Sequence, residues 1–138
     1  MSEKLSAYQP QALALLRIVS GLLFVHSGLV LVFDIPASIY PPPPPETATT
    51  LLIAGVLELI GGALLLAGFL TRPTAFVMCG MMAVAYWGYH VPTSFFPANN
   101  MGTAAILFCF IFFYLMFSGP GAWAVDNRKG VQDEPAGP

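Results

Sequence analysis

The chain has 138 residues, of which 57% are hydrophobic and only 9% charged, with a net charge of −2 at neutral pH. Soluble domains carry about a quarter charged residues, and five basic plus seven acidic side chains cannot clothe a surface of this size for water. The solvent is therefore lipid. The lack of a basic footprint excludes nucleic acid as a partner, and two cysteines inside apolar runs make neither a disulfide framework nor a zinc cluster, so no metal site is expected.

A bilayer core about 30 Å thick needs about 20 apolar residues per helix. Four stretches fit, at about residues 12–33, 48–70, 73–90 and 102–118. The last two are short enough that they span only when nearly upright. The fold class expected is all-α: a four-transmembrane-helix bundle within one membrane domain over residues 1–130, because lipid requires backbone polar groups to be satisfied inside each segment.

The first span, Ala12 to Phe33, is interrupted by Arg17 and His26, and the second, Ala48 to Leu70, by Glu58. Between them Pro36 and the run Pro41 to Pro45 favour an extended, hydrated segment. Thr71, Arg72 and Pro73 make a hairpin to the third span, and Pro92 and Pro97 break the chain again before Asn99 and Asn100, which can cap the fourth. Gly119, Pro120 and Gly121 stop that helix, and residues 131–138 read as a disordered cytoplasmic tail. Lys4, Arg72, Arg128 and Lys129 fall on one side of the membrane, and the first and third loops carry no Lys or Arg. Both ends are therefore expected in the cytoplasm, with the proline run outside. The first span is too long and too weakly basic at its start for a cleaved signal peptide. Tyr86, Trp87, Tyr89 and Trp123 suit interfacial belts.

Charges that lipid would reject mark candidate sites. Arg17 lies about 8 Å and Glu58 about 18 Å from the cytoplasmic face, and a long Arg side chain spans much of the difference. On a helical wheel Arg17 shares a face with Gly21 and Gly28, and Glu58 with Gly55 and Gly62, so both charges belong to helix-contacting faces. One reading is a salt bridge pinning the first helix to the second, with Arg17 also reaching toward the cytoplasm. The other is functional: Glu58 binds a polar ligand or carries a proton beside a quinone headgroup. His26 stands nine residues after Arg17 and points to the opposite face, toward a neighbouring helix or a second subunit.

Cys79, Met82, Tyr86 and His90 form a stripe on the third helix. It is either a Met-rich packing seam or one wall of a pocket for a flat hydrophobic molecule, with His90 or Tyr86 binding its oxygen. His26 and His90 are the only histidines, and no further haem motif accompanies them, which argues against a bis-His haem. Cys79 and Cys109 are expected at different depths on separate helices, each a small buried hydrophobe rather than half of a redox pair.

Taken in order, Leu16-Arg17, Gly21 to Phe24 and His26-Ser27-Gly28, then Glu58 to Gly62 with Leu64 to Leu66 and Gly68, then Thr71-Arg72, and finally Gly119 to Trp123 leading to Asp126, resemble the DoxX family of small bacterial membrane proteins, related to the DoxD and MauE groups. The resemblance covers nearly the whole chain. Two family features are replaced: Val30 to Phe33 stand where a basic residue often ends the first helix, and Gly102 and Thr103 where a Glu commonly begins the fourth. The resemblance implies a multi-pass protein of the bacterial cytoplasmic (inner) membrane that accompanies a quinone-linked redox complex, as an accessory or anchor subunit or a homo-oligomer rather than a complete enzyme. It also directs attention to Arg17, His26, Glu58, Arg72 and Asp126, the last two as a cytoplasmic ion pair. Two other classes stand beside it: a small oligomeric transporter with Arg17 and Glu58 lining the route, and a scaffold in which that pair only fixes helix register.

Overall fold

The computed structural model describes residues 2–39 and 41–129, which are helical without any strand. The expected tail at 131–138 lies outside the described residues. In chain order the elements are α1 (Ser2–Ser6), α2 (Gln9–Phe33), α3 (Pro45–Ala67), α4 (Thr71–Ala85) continuing into a π-helical turn (Tyr86–His90), α5 (Pro97–Asn100), α6 (Thr103–Ser118) and α7 (Asp126–Lys129).

Local chemistry explains where these elements depart from the expected limits. Helix α3 starts at Pro45 rather than Ala48, because Pro44 is extended (φ −56°, ψ 145°) and the next proline takes the first helical turn, where no amide is needed. It ends at Ala67 rather than Leu70. Gly68 adopts a left-handed conformation (φ 63°), and its amide and that of Phe69 return to the carbonyls of Leu65 and Leu64 at 3.1 and 3.0 Å. The N-cap of α6 is Gly102, without a side-chain capping bond, so Asn100 does not cap that helix as expected. Asn100 braces the preceding loop instead, accepting from the Gly102 amide and donating to the Ser94 carbonyl, both at 2.7 Å.

Among the described residues, only α2 and α3 are long and apolar enough to cross a bilayer by length and composition, and α6 is a shorter apolar helix. In each of the two long helices just 28% of the most apolar stretch is buried, and Leu15, Leu22, Ile53 and Ile60 are more than half exposed. The core helix of a soluble protein would hide such side chains; contact with acyl chains leaves them in an apolar solvent.

The helices divide into two compact units, residues 72–119 and the remainder. In the remainder, α2 and α3 pack antiparallel through glycines spaced seven apart on each helix. A Cβ on Gly21 would lie 2.8 Å from the Gly62 carbonyl oxygen, and one on Gly62 would lie 2.8 Å from that of Gly21. Further along, a Cβ on Gly28 would lie 2.7 Å from the Gly55 carbonyl oxygen. The backbones are in van der Waals contact at two points, the arrangement that small residues permit between membrane helices. This fixes the register: Gly21 faces Gly62 and Gly28 faces Gly55, so each step up α2 is matched by one step down α3.

Candidate intramembrane polar site

That register decides what Arg17 can reach. Four residues below Gly21 on α2, it is level with Leu66, four beyond Gly62 on α3, and Glu58 stands eight residues away, about 12 Å along the helix. The guanidinium is completely buried. Its Nε donates to the Pro120 carbonyl at 2.7 Å. Nη1 donates to the carbonyls of Leu65 and of Leu66, the latter at 3.0 Å. Nη2 donates to those of Ala122 at 3.1 Å and Trp123 at 3.2 Å. An arginine has five N–H donors, and all five are spent on main-chain oxygens.

The expected Arg17–Glu58 salt bridge is thereby corrected. The carbonyls at the end of α3 and in the chain after α6 take the guanidinium, and the acid acting electrostatically on it is Asp126. The same segment is tied down by its backbone: the Ala122 amide donates to Pro10 at 2.9 Å, Val125 to Ala67 at 3.1 Å and Asp126 to Gly68 at 2.9 Å. Residues 120–126 therefore form a strap across the ends of α2 and α3, with Arg17 beneath it. Two glycines make the fit. At Gly68 a Cβ would come within 2.9 Å of the Arg17 Cζ, and at Gly121 (φ 69°) within 2.7 Å of the Pro10 carbonyl oxygen.

Glu58 sits apart from this cradle. It is 7% exposed, its Oε2 has no hydrogen-bond partner among the described residues, and the Ser27 hydroxyl donates to its carboxyl. Ser27 carries no strong signal of its own in the sequence, but the glycine register finds it, because Glu58 falls level with Val25, between the turns that hold Phe24 and Gly28. His26 takes no part in the Arg17 cradle. It is exposed and lines a shallow groove with Ser27, Val30, Leu31 and residues 36–39.

Arg72 and Asp126 each serve the backbone. The Asp126 carboxylate accepts from the amides of Leu70 and Thr71, both at 2.9 Å, where α4 begins. Arg72 donates to the carbonyls of Met116 and Phe117 at 2.8 and 2.7 Å, capping the last turn of α6. Each of the two side chains secures a helix end.

Of Cys79, Met82, Tyr86 and His90, Met82 is buried and the others are half-buried. The two polar groups of this proposed pocket wall are already engaged: the Tyr86 hydroxyl donates to the Phe95 carbonyl and His90 Nδ1 meets the Asn100 carbonyl, both at 2.9 Å. Their rings also stack on each other, with centroids 6.4 Å apart. The stripe therefore fastens the loop between α4 and α6. The expectation that Cys79 and Cys109 lie at different depths is overturned, since their sulfurs are 3.6 Å apart. The cause is Arg72, which holds the start of α4 level with the end of α6. Cys79 is seven residues on from Arg72, and Cys109 is seven before Met116. Among the described residues no group of three or more His, Cys, Asp or Glu side chains is placed to hold a metal ion.

Comparison with known proteins bears on this geometry. The sequence model of the DoxX family matches residues 12–91, more than half of the chain. An uncharacterized protein of Haemophilus influenzae is 39% identical over 127 residues, which cover 90% of this chain and 95% of the relative. No solved structure matches.

Proposed function

The chain belongs to the DoxX family, and from that premise we propose that it is an accessory or anchor subunit beside a quinone-linked redox complex in the bacterial cytoplasmic membrane. In this reading it crosses the membrane four times, through α2, α3, α4 with its π-helical turn, and α6, with both ends in the cytoplasm. The positions of Lys4, Arg72, Arg128 and Lys129 support that orientation.

The observation that carries the proposal is Glu58. An acid inside a span, hydrogen-bonded on one side by Ser27 and with a buried oxygen lacking a partner, is a costly arrangement that packing alone does not call for. It suits a polar headgroup such as a quinone's, which a carboxyl can hydrogen-bond or exchange a proton with. Arg17 then belongs to the scaffold. With every donor bonded to the backbone it has nothing to offer a passing solute, which weighs against a permeation route lined by Arg17 and Glu58.

The test is purification in mild detergent followed by native mass spectrometry. Wild-type protein is expected to bring down an oxidoreductase partner and a bound quinone, and Glu58→Gln to keep its yield and partner while losing the quinone. Recovery of neither partner nor quinone overturns the proposal. Solute flux in proteoliposomes that disappears in Glu58→Gln would replace it with a transporter.

A further inference from the structure

The contact between Cys79 and Cys109 is independent of Glu58 and of the proposed function. The two sulfurs are 3.6 Å apart on the facing helices α4 and α6, and both residues are half-buried. Their immediate surroundings are apolar: Met78 and Met82 are buried on α4, and Phe108 and Phe112 stack with centroids 6.0 Å apart on α6. At the start of α4 and the end of α6, Arg72 keeps the two helices in register, so the sulfurs stay opposite one another.

We propose that Cys79 and Cys109 are a peroxide-oxidisable dithiol that closes to a disulfide joining α4 to α6. The oxidant class follows from the setting. A charged oxidant pays heavily to enter hydrocarbon, whereas hydrogen peroxide or an organic hydroperoxide is uncharged and reaches half-buried thiols from the lipid side.

In the first step a cysteine sulfur attacks the peroxide O–O bond, becomes a sulfenic acid and releases an alcohol, or water when the oxidant is hydrogen peroxide. In the second, the other sulfur attacks the sulfenic sulfur, an S–S bond forms and water leaves. Two S–H bonds and one O–O bond break. The sulfurs give up two electrons to the peroxide oxygens, and the two thiol protons leave in the alcohol and the water. The short sulfur separation matters in the second step, because a sulfenic acid formed on either residue has its resolving thiol already in contact and is captured before a second peroxide arrives.

The full chain in mild detergent is treated with hydrogen peroxide or tert-butyl hydroperoxide, quenched, denatured and reacted with a mass-tagged maleimide. Untreated protein is expected to take two tags. Oxidised protein takes none, runs as a monomer on a non-reducing gel, loses two hydrogens by intact mass and yields a peptide joining Cys79 to Cys109; a reductant restores both tags. In Cys79→Ser or Cys109→Ser the remaining thiol has no partner to capture its sulfenic acid, which is expected to be trapped by dimedone or to go on to the sulfinic acid, a gain of two oxygens by intact mass in place of the loss of two hydrogens. Should either variant fail to fold, the wild-type mass and peptide map decide. Persistence of both tags, a disulfide-linked dimer, or separate oxygen adducts on the two cysteines would each overturn the proposal.

Discussion

A buried guanidinium bonded wholly to main-chain oxygens is stable here because most of its acceptors are carbonyls that need donors. Those of Leu65 and Leu66 lie in the last turn of α3, where helical carbonyls run out of intrahelical partners, and those of Pro120, Ala122 and Trp123 belong to a chain segment with no helix of its own. Removing Arg17 strands several acceptors at once. Each buried unsatisfied polar group costs about 1–3 kcal/mol, so Arg17→Met is expected to lose about 3–5 kcal/mol of stability even though it removes a buried charge. Arg17→Lys keeps the charge but has three donors without the planar fork, and should fall between the two. Loss of helical circular dichroism on heating in detergent measures both; a Met variant melting with the wild type would mean that the strap holds without its arginine. Asp126→Asn tests the opposite end of the same strap. One of two amide acceptors disappears together with a negative charge at the start of α4, for an expected loss of about 1–2 kcal/mol.

At the scale of elements, glycines separate from one another by what a methyl group would meet. Gly21→Ala or Gly62→Ala drives a Cβ to 2.8 Å from a main-chain oxygen of the facing helix. Backbone cannot rotate away as a side chain can, so α2 and α3 must part, at an expected cost of about 2–4 kcal/mol. Gly80 supplies the control: it lies within α4, and a Cβ there meets nothing within 4 Å. Gly80→Ala should leave stability unchanged or raise it by up to about 1 kcal/mol, the helix-propensity difference. Equal melting of the three variants would refute the close-contact account. Much of this element level is legible in the sequence: the breaks at Gly119 and around the proline run are marked there, and the paired glycines with their spacing of seven already contain the register, whereas Gly68 ends α3 three residues before the limit that hydrophobicity suggests. What could not be read was the destination of each charge. A carbonyl becomes an acceptor only where a helix ends or a loop settles, and the partners of Arg17 at 120–123 lie about a hundred residues along the chain. Nor does spacing alone reveal that Cys79 meets Cys109, because their relative depth follows from how Arg72 binds the end of α6.

For the whole molecule, the decisive quantity is where charge sits relative to the membrane. Translocating a Lys or Arg with its loop is disfavoured, and the bias is counted over the short loops and the residues near span ends. Lys4, Arg72, Arg128 and Lys129 all fall on one side of the proposed four-span arrangement, while the segment from Asp34 to Pro44 has no basic residue, and of it the described residues are exposed. Replacing both native cysteines by Cys79→Ser and Cys109→Ser leaves a background in which single new thiols report sidedness. Ala37→Cys, in the proline-containing loop, is expected to react with a membrane-impermeant maleimide in intact cells whose outer barrier has been opened. Gln9→Cys, at the exposed start of α2, should react only after lysis. If Gln9→Cys labels from outside and Ala37→Cys does not, the chain is inverted. Arg17 and its strap would then face away from the cytoplasm, and a redox partner bound at that end would have to be sought on the other side of the membrane. Labelling of both thiols from outside would mean that α2 does not cross at all, which removes the lipid setting on which the burial of Glu58 acquires its chemical meaning.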